Sequence, residues 1–156
     1  MTAVPGGETA ALSGRIEDGV HRLWQRVYYE DTDAAGIVYY ANYLRFAERG
    51  RTEILRLVGV SQAALRDRTG LAFAVHKVSV DYRRPARLDD LLEIRSAVTA
   101  MTRVRVSMKQ TIRDAESGTV FAALTIDVVC IDAEGRPARV PSELAAAMRP
   151  LCRAEE

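Results

Sequence analysis

Cysteine and histidine are scarce in this 156-residue chain, with two of each. That is too few for a disulfide framework or a structural zinc site, and it argues against any centre built from several Cys or His ligands. Neither sign of charge is in excess: Lys plus Arg is 22 and Asp plus Glu is 21, a formal net charge of +1. Without a basic surplus to face phosphates, a dedicated nucleic-acid binder is excluded as the leading reading. No apolar run approaches the roughly 18 residues that a membrane-spanning helix needs. Met1 to Val20 has no basic leading region and no sustained apolar stretch, so it does not read as a signal peptide. Pro5, Gly6, Gly7 and Gly14 mark residues 1–20 as a mobile tail. The cytoplasm is the expected compartment. Internal repeats and low-complexity segments are lacking too.

What is present is globular: 48% hydrophobic and 28% charged residues, enough chain for one domain, expected over residues 21–150, with 151–156 as a second short tail. Leu23 to Glu30 is rich in β-branched and aromatic residues and predicts a first strand. After a break at residues 31–36, Tyr43, Phe46, Ala47, Gly50, Ile54, Leu57 and Val58 recur at helical spacing. Arg49 and Glu53 are placed for an i,i+4 pair on that helix. Gly50 costs the helix about 1 kcal/mol against alanine, and its place on the apolar stripe predicts close approach to a sheet. Ser61 is a suitable cap for a second short helix to Arg68. From residue 71 the period becomes two, through Val78-Val80-Tyr82, Leu92-Ile94-Ser96-Val98, Val104-Val106-Met108 and Val120 to Val128. Short connections make the last three strands antiparallel neighbours. Pro141-Ser142-Glu143-Leu144 opens a C-terminal helix. The order predicts an α+β domain: one long helix against a curved five-stranded antiparallel sheet. One helix cannot cover such a sheet, so self-association into at least a dimer is expected.

The densest cluster of unusual residues is Glu30-Asp31-Thr32-Asp33-Ala34-Ala35-Gly36. Its Asp-x-Asp-x-x-Gly start matches a calcium loop, but Ala35 stands at the fifth position and Asn42 at the twelfth, where glutamate is required. That reading is rejected. Two others stay open. The segment is either a solvated turn, in which Asp tolerates the backbone angles, or a catalytic carboxylate facing the unpaired N–H groups and positive dipole end of the long helix. A carboxylate with backbone donors and no metal suits hydrolysis of an activated acyl group such as a thioester. Among other residues, Glu48 reads as a surface or pairing residue amid Arg45, Arg49 and Arg51. His76 reads as an ordinary strand residue, His21 as tail or strand start, Cys130 as core and Cys152 as tail.

The run from Val27 to Leu44 (VYYEDTDAAGIVYYANYL) closely resembles the first motif of hotdog-fold proteins of the 4-hydroxybenzoyl-CoA thioesterase type, and most of all the bacterial Tol-Pal-associated acyl-CoA thioesterases. Residues 45–53 (RFAERGRTE) and 82–90 (YRRPARLDD) are similar to the same family, and the resemblance extends from about Leu23 to Leu144. It implies a hotdog fold paired into homodimers, and further into dimers of dimers. It also implies hydrolysis of acyl-CoA, with acyl carrier protein as an alternative carrier, and no metal or cofactor. The family's essential acid falls on Asp33 and its carbonyl-polarising backbone N–H on Tyr40. Gly36, Val38 and Tyr39 are then expected to line the substrate. Many Tol-Pal-associated members carry histidine at the position of Tyr40, whereas the hydroxybenzoyl-CoA enzyme carries tyrosine. Any residue but proline keeps the backbone donor, so the difference bears on acyl preference. CoA phosphates in such enzymes meet surface basic residues, for which Arg103 and Arg105 are candidates; a solvated strand face is the alternative. The rival function is a non-catalytic acyl-binding or scaffold protein of envelope maintenance.

Overall fold

The structure, a computed structural model, describes residues 12–152. Six strands form one antiparallel sheet: β1 (Arg15–Glu17), β2 (Val20–Arg26), β3 (Ala72–Tyr82), β4 (Leu91–Met101), β5 (Arg105–Asp114) and β6 (Val120–Ile131). Their order is β1-β2-β4-β5-β6-β3. Helix α1 (Asn42–Leu57) lies against one face of the sheet, α2 (Gln62–Thr69) follows it, and α3 (Ser142–Met148) closes the chain. Ser61 caps α2 by accepting from the Ala64 N–H. The α+β architecture and the long helix agree with the sequence pattern.

Register explains how α1 is seated. Leu23, Ile94, Ile112 and Ala122 are cross-strand neighbours in one row of the covered face, and all four are buried. Phe46 and Ala47 of α1 join them in one cluster. The next row is polar: His21, Ser96 and Gln110, each at most 1% exposed. Gln110 satisfies this row by donating through Nε2 to the Ala47 carbonyl and to Ser96 Oγ, both at 2.9 Å. Gly50 sits directly above. A Cβ there would come within 3.0 Å of Ile94 Cγ2, 3.2 Å of Gln110 Nε2 and 3.3 Å of Ser96 Oγ. The helix-propensity loss is therefore set against overpacking of about 1–3 kcal/mol that any larger residue would bring.

Four local expectations need correction. The sheet has a sixth strand, β1, drawn from the segment read as tail; residues 1–11 of that segment lie outside the described residues. The first long strand starts at Val20 and stops at Arg26, because Tyr29–Asp31 turns into a 3-10 helix held by the Tyr28 N–H donating to Asp31 Oδ2 at 2.8 Å. Glu53 pairs with Arg56 rather than Arg49, whose guanidinium lies over the Phe46 ring and donates to Gln25. At the other end, Leu151 is buried in the core and Cys152, though exposed, bridges to Val98 of β4, so these two residues are held to the domain rather than forming a tail.

His21, read as tail or strand start, is the second residue of β2 and is fully buried. Its Nε2 lies 2.8 Å from the Ser13 carbonyl and therefore carries the proton, while Nδ1 has no partner. Burial holds its pKa below the ordinary histidine value, against the opposing pull of the Ser13 carbonyl and of Glu53 on α1. The unfolded chain thus binds the proton more readily. Stability should be level above pH about 6.5 and fall as the pH drops below it. Urea midpoints at pH 7.5 and 5.5 check this, with His21→Gln expected to flatten the difference.

The two edges of the sheet differ. β1 is three residues long; β3 is eleven, pairs only with β6, and shifts register between Val75 and Lys77. Val75, Val78 and Tyr82 of β3 are 50%, 39% and 46% exposed, as expected of an edge strand that lacks a second neighbour.

Candidate active site

The acidic loop divides its carboxylates between different tasks. Asp31 is buried and its side chain is taken up by the Tyr28 N–H. Its carbonyl accepts from both the Tyr39 N–H (3.0 Å) and Asn42 Nδ2 (2.8 Å), which ties the loop to the start of α1. Asp33 is exposed; one carboxylate oxygen accepts from the Ala35 N–H at 2.8 Å and the other has no partner. The loop closes through Asp33 N–H to the Ile37 carbonyl and Gly36 N–H to the Asp33 carbonyl. Gly36 takes φ +78°, a left-handed angle that a side chain would strain. Val38 is buried and pinned by donation to the Ala86 carbonyl at 2.8 Å. Among the described residues the loop thus leaves two exposed acids, Glu30 and Asp33, and Asp33 is the one on the α1 side of the buried Asp31.

At the start of α1, Tyr39 accepts the Asn42 N–H, whereas the N–H groups of Tyr40 and Ala41 donate to no carbonyl among the described residues. These are the unpaired donors of a helix start. The Tyr82 hydroxyl donates to the Tyr40 carbonyl at 3.0 Å, which holds the peptide plane that carries the Ala41 N–H. Tyr39, Tyr40, Tyr82 and Tyr43 make a chain of ring contacts with centroids 4.8, 6.3 and 5.6 Å apart. Tyr43 accepts the Ala86 N–H at 3.0 Å, and burial pushes its phenol up, keeping it protonated.

Three voids follow one another along the seam between α1 and β3. The first, about 230 Å³, is bounded by Val38, Tyr40, Tyr43, Tyr82 and Pro85. The second, about 200 Å³, has Leu44, Arg45, Val78 and Ile126 on its walls. The third, about 240 Å³, reaches inward to Ile54, Phe73, Met108 and Met148 and shares Glu48, Arg51 and Val75 with the second. The second and third voids therefore join into a trench that reaches the core, and the first, beside the Tyr40 amide, lies on the helix-start side of it, with Tyr43 next to Leu44 in sequence.

The structure brings Asp33, Gly36, Val38, Tyr39 and Tyr40 together at the start of α1, but not Arg103 and Arg105. Arg103 lies in the β4–β5 turn rather than on a strand face, and Arg105 begins β5. Arg105 is in register with Val129, and Val129 with Ala74. Eight residues of β3 separate Ala74 from Tyr82, roughly 26 Å of extended chain. Both arginines stand at the far end of the sheet from the acidic loop. Glu48 is exposed and makes no ion pair among the described residues. Arg51 was not singled out by sequence pattern; it donates to Gln110 Oε1 at 2.9 Å, a tie that only the folded register creates. No group of three or more potential ligands that could hold a metal occurs among the described residues.

Comparisons with known proteins agree with this architecture. The acyl-CoA thioester hydrolase YbgC of Escherichia coli O6:H1 is 45% identical over 122 residues, which is 78% of this chain and 90% of the relative. The acyl-CoA thioesterase YbgC of Haemophilus influenzae is 39% identical over 127 residues, 81% of this chain and 92% of that one. The crystal structure of a probable thioesterase from Bartonella henselae superposes with a TM-score of 0.74 at 35% identity, covering 78% of this chain and 99% of that chain. The fold is accordingly a hotdog, with six strands instead of the five expected. Residues 27–148 match the model of the thioesterase-like superfamily, and the chain belongs to that family.

Proposed function

We propose that this protein hydrolyses acyl-CoA thioesters to the free carboxylic acid and CoA. The observation that carries the reading is that the loop leading to the unpaired Tyr40 N–H, beside the void bounded by Val38, Tyr40 and Tyr43, also holds the exposed Asp33 carboxylate. The Tyr40 N–H accepts the developing negative charge on the thioester oxygen. Asp33 either attacks the carbonyl, giving an acyl-aspartyl anhydride that water then cleaves, or takes a proton from water as it attacks. In both routes the thiolate of CoA leaves and is protonated. Gly36, Val38 and Tyr39 frame the carbonyl, and the acyl group extends into the trench. Release of free thiol from aromatic, short-chain and long-chain CoA esters, and from acyl carrier protein, tests the reading. A protein that binds these thioesters tightly and releases no thiol is the scaffold, not the enzyme.

The active form in this proposal is a homodimer. β3 offers an unpaired edge beside exposed Leu44 and Tyr40 of the α1 region, and antiparallel pairing with the same strand of a second copy would cover both. Such pairing sets the Ala72 end of one β3 beside the Tyr82 end of the other. It carries Arg103 and Arg105 of one subunit toward the acidic loop of its neighbour, where they can meet CoA phosphates. Dimers pairing again complete the assembly. The cytoplasm, where CoA esters are made and consumed, is the compartment this function requires; no described helix is long and apolar enough to cross a membrane. Val78→Asp, which buries a charge beneath the paired edges, should reduce the native mass to that of one chain and abolish most thiol release. Light scattering checks the mass, and an unchanged dimer would overturn this arrangement.

A further inference from the structure

The inner end of the trench carries a half-buried cation whose one carboxylate neighbour, Glu48, forms no ion pair with it. Arg51 of α1 lines both inner voids. Its Nη1 donates to Gln110 Oε1, a neutral acceptor, and it forms no ion pair among the described residues. Burial draws its pKa below the ordinary arginine value, and only the charge of Glu48, three residues earlier, acts against this. A guanidinium withdrawn from water is normally matched by an anion, because desolvation is costly and a neutral partner recovers little of it. Gln110 offers only this uncharged oxygen, since its amide nitrogen is a donor, engaged with Ala47 and Ser96, and cannot serve a cation. Arg51 shares the lining of the innermost void with Ile54, Phe73 and Met108.

We propose that Arg51 reads the far end of the acyl group, and that the trench takes acyl chains ending in a carboxylate, the mono-CoA esters of dicarboxylic acids. This rests on the acyl-CoA hydrolysis proposed above and adds its substrate class. A carboxylate meets two parallel guanidinium N–H groups in a geometry that no alkyl end can use. Arg51 lies nine helical steps beyond Asn42, roughly 14 Å along α1, and Tyr40 stands just before that start; the arginine side chain leans back toward it, leaving a span for a chain of about six carbons. The innermost void alone, about 240 Å³, exceeds the roughly 150 Å³ that admits a benzene ring. Glu48, at the rim of the same void, weakens the preference for an anion without removing it.

Adipyl-CoA and hexanoyl-CoA provide the test, because both acyl groups have six carbons and differ in ending in carboxylate or methyl. The protein should favour adipyl-CoA in kcat/KM, and Arg51→Met should lower the adipyl-to-hexanoyl ratio by about 10²-fold, as expected when a desolvated charge pair loses one member. Arg51→Lys should keep part of the ratio, and Glu48→Gln should raise it. A ratio that moves less than threefold in Arg51→Met overturns the proposal. So does an Arg51→Met protein whose native mass falls while both esters lose activity alike, since a carboxylate of a second subunit is then the counter-ion. If neither ester is hydrolysed, the hydrolytic reading fails by itself, and calorimetric binding of the two esters to Asp33→Asn decides the assignment of Arg51. Equal affinities overturn it.

Discussion

Asp33→Asn should lower kcat by about 10²–10⁴-fold, the range of a positioned general base, while leaving thermal stability within a degree or two. The substitution keeps the oxygen that accepts the Ala35 N–H and removes the charge and basicity of the other. Asp31→Asn is the instructive contrast. Its carboxylate is buried and bonded to the Tyr28 N–H, so that change should act on stability first and on turnover only through the loop. Single turnover in ¹⁸O-labelled water then separates the two roles of Asp33: label in the Asp33 side chain identifies the anhydride route, and label only in the released acid identifies attack by water. Retention of most activity by Asp33→Asn, in protein free of host thioesterases, would remove this residue from the mechanism.

The largest effect on stability is expected at Glu93. It lies on the sheet face turned away from α1, its side chain is only 2% exposed, and it takes ion pairs from Arg22 (2.9 Å), Arg95 (3.1 Å) and Arg113 (3.1 Å). Burial alone would push its pKa up; the hydrogen bonds from the three arginines together outweigh that and hold it below the usual carboxylate range. Removing one member of a buried pair costs about 3–5 kcal/mol. The arginines here are 23% to 33% exposed and can turn to water, which argues for the lower end. Glu93→Leu should therefore lower Tm by about 10 °C in a chain of this size. The sign with pH follows from the depressed pKa: this contribution is complete above the unfolded carboxyl's range near pH 4.5 and is lost as pH falls through the folded value. Melting curves from pH 7 to 3 check both points. A variant within 2 °C of the parent, with the same acid limb, would show that the cluster contributes nothing net.

The sequence made the large elements legible because each follows from a period. Alternation set β3 to β6, helical spacing set α1, and Gly50 announced a close approach that its distances to Ile94 and Gln110 bear out. The acidic loop was legible because its motif is local. What escaped depends on contacts between distant segments. β1 is three residues with no pattern of its own; it exists because it pairs with β2 across a turn where Asp18 and Gly19 both take positive φ. His21 resembles a tail residue until Ser96 and Gln110 are placed beside it. Arg51 looks like one more surface arginine in a helix that has four, and only Gln110, 59 residues away, draws it inward. Arg103 and Arg105 failed as neighbours of the acidic loop within one chain because alternation reveals a face of a strand but not which end of the sheet it occupies.

The bare rim of β3 has a consequence for the newly made molecule. Eleven residues without proline, ending on an open ladder, would template runaway polymers if nothing restrained them. Lys77 and Asp81 interrupt the apolar run with opposite charges, and the bulge before Lys77 twists the ribbon out of the flat shape that stacking requires. In the proposed dimer, a second copy pairing antiparallel with this rim would consume both open β3 edges at once, so growth through this edge would stop at a closed pair. The same strand that leaves a nascent chain vulnerable thereby limits how far it can aggregate.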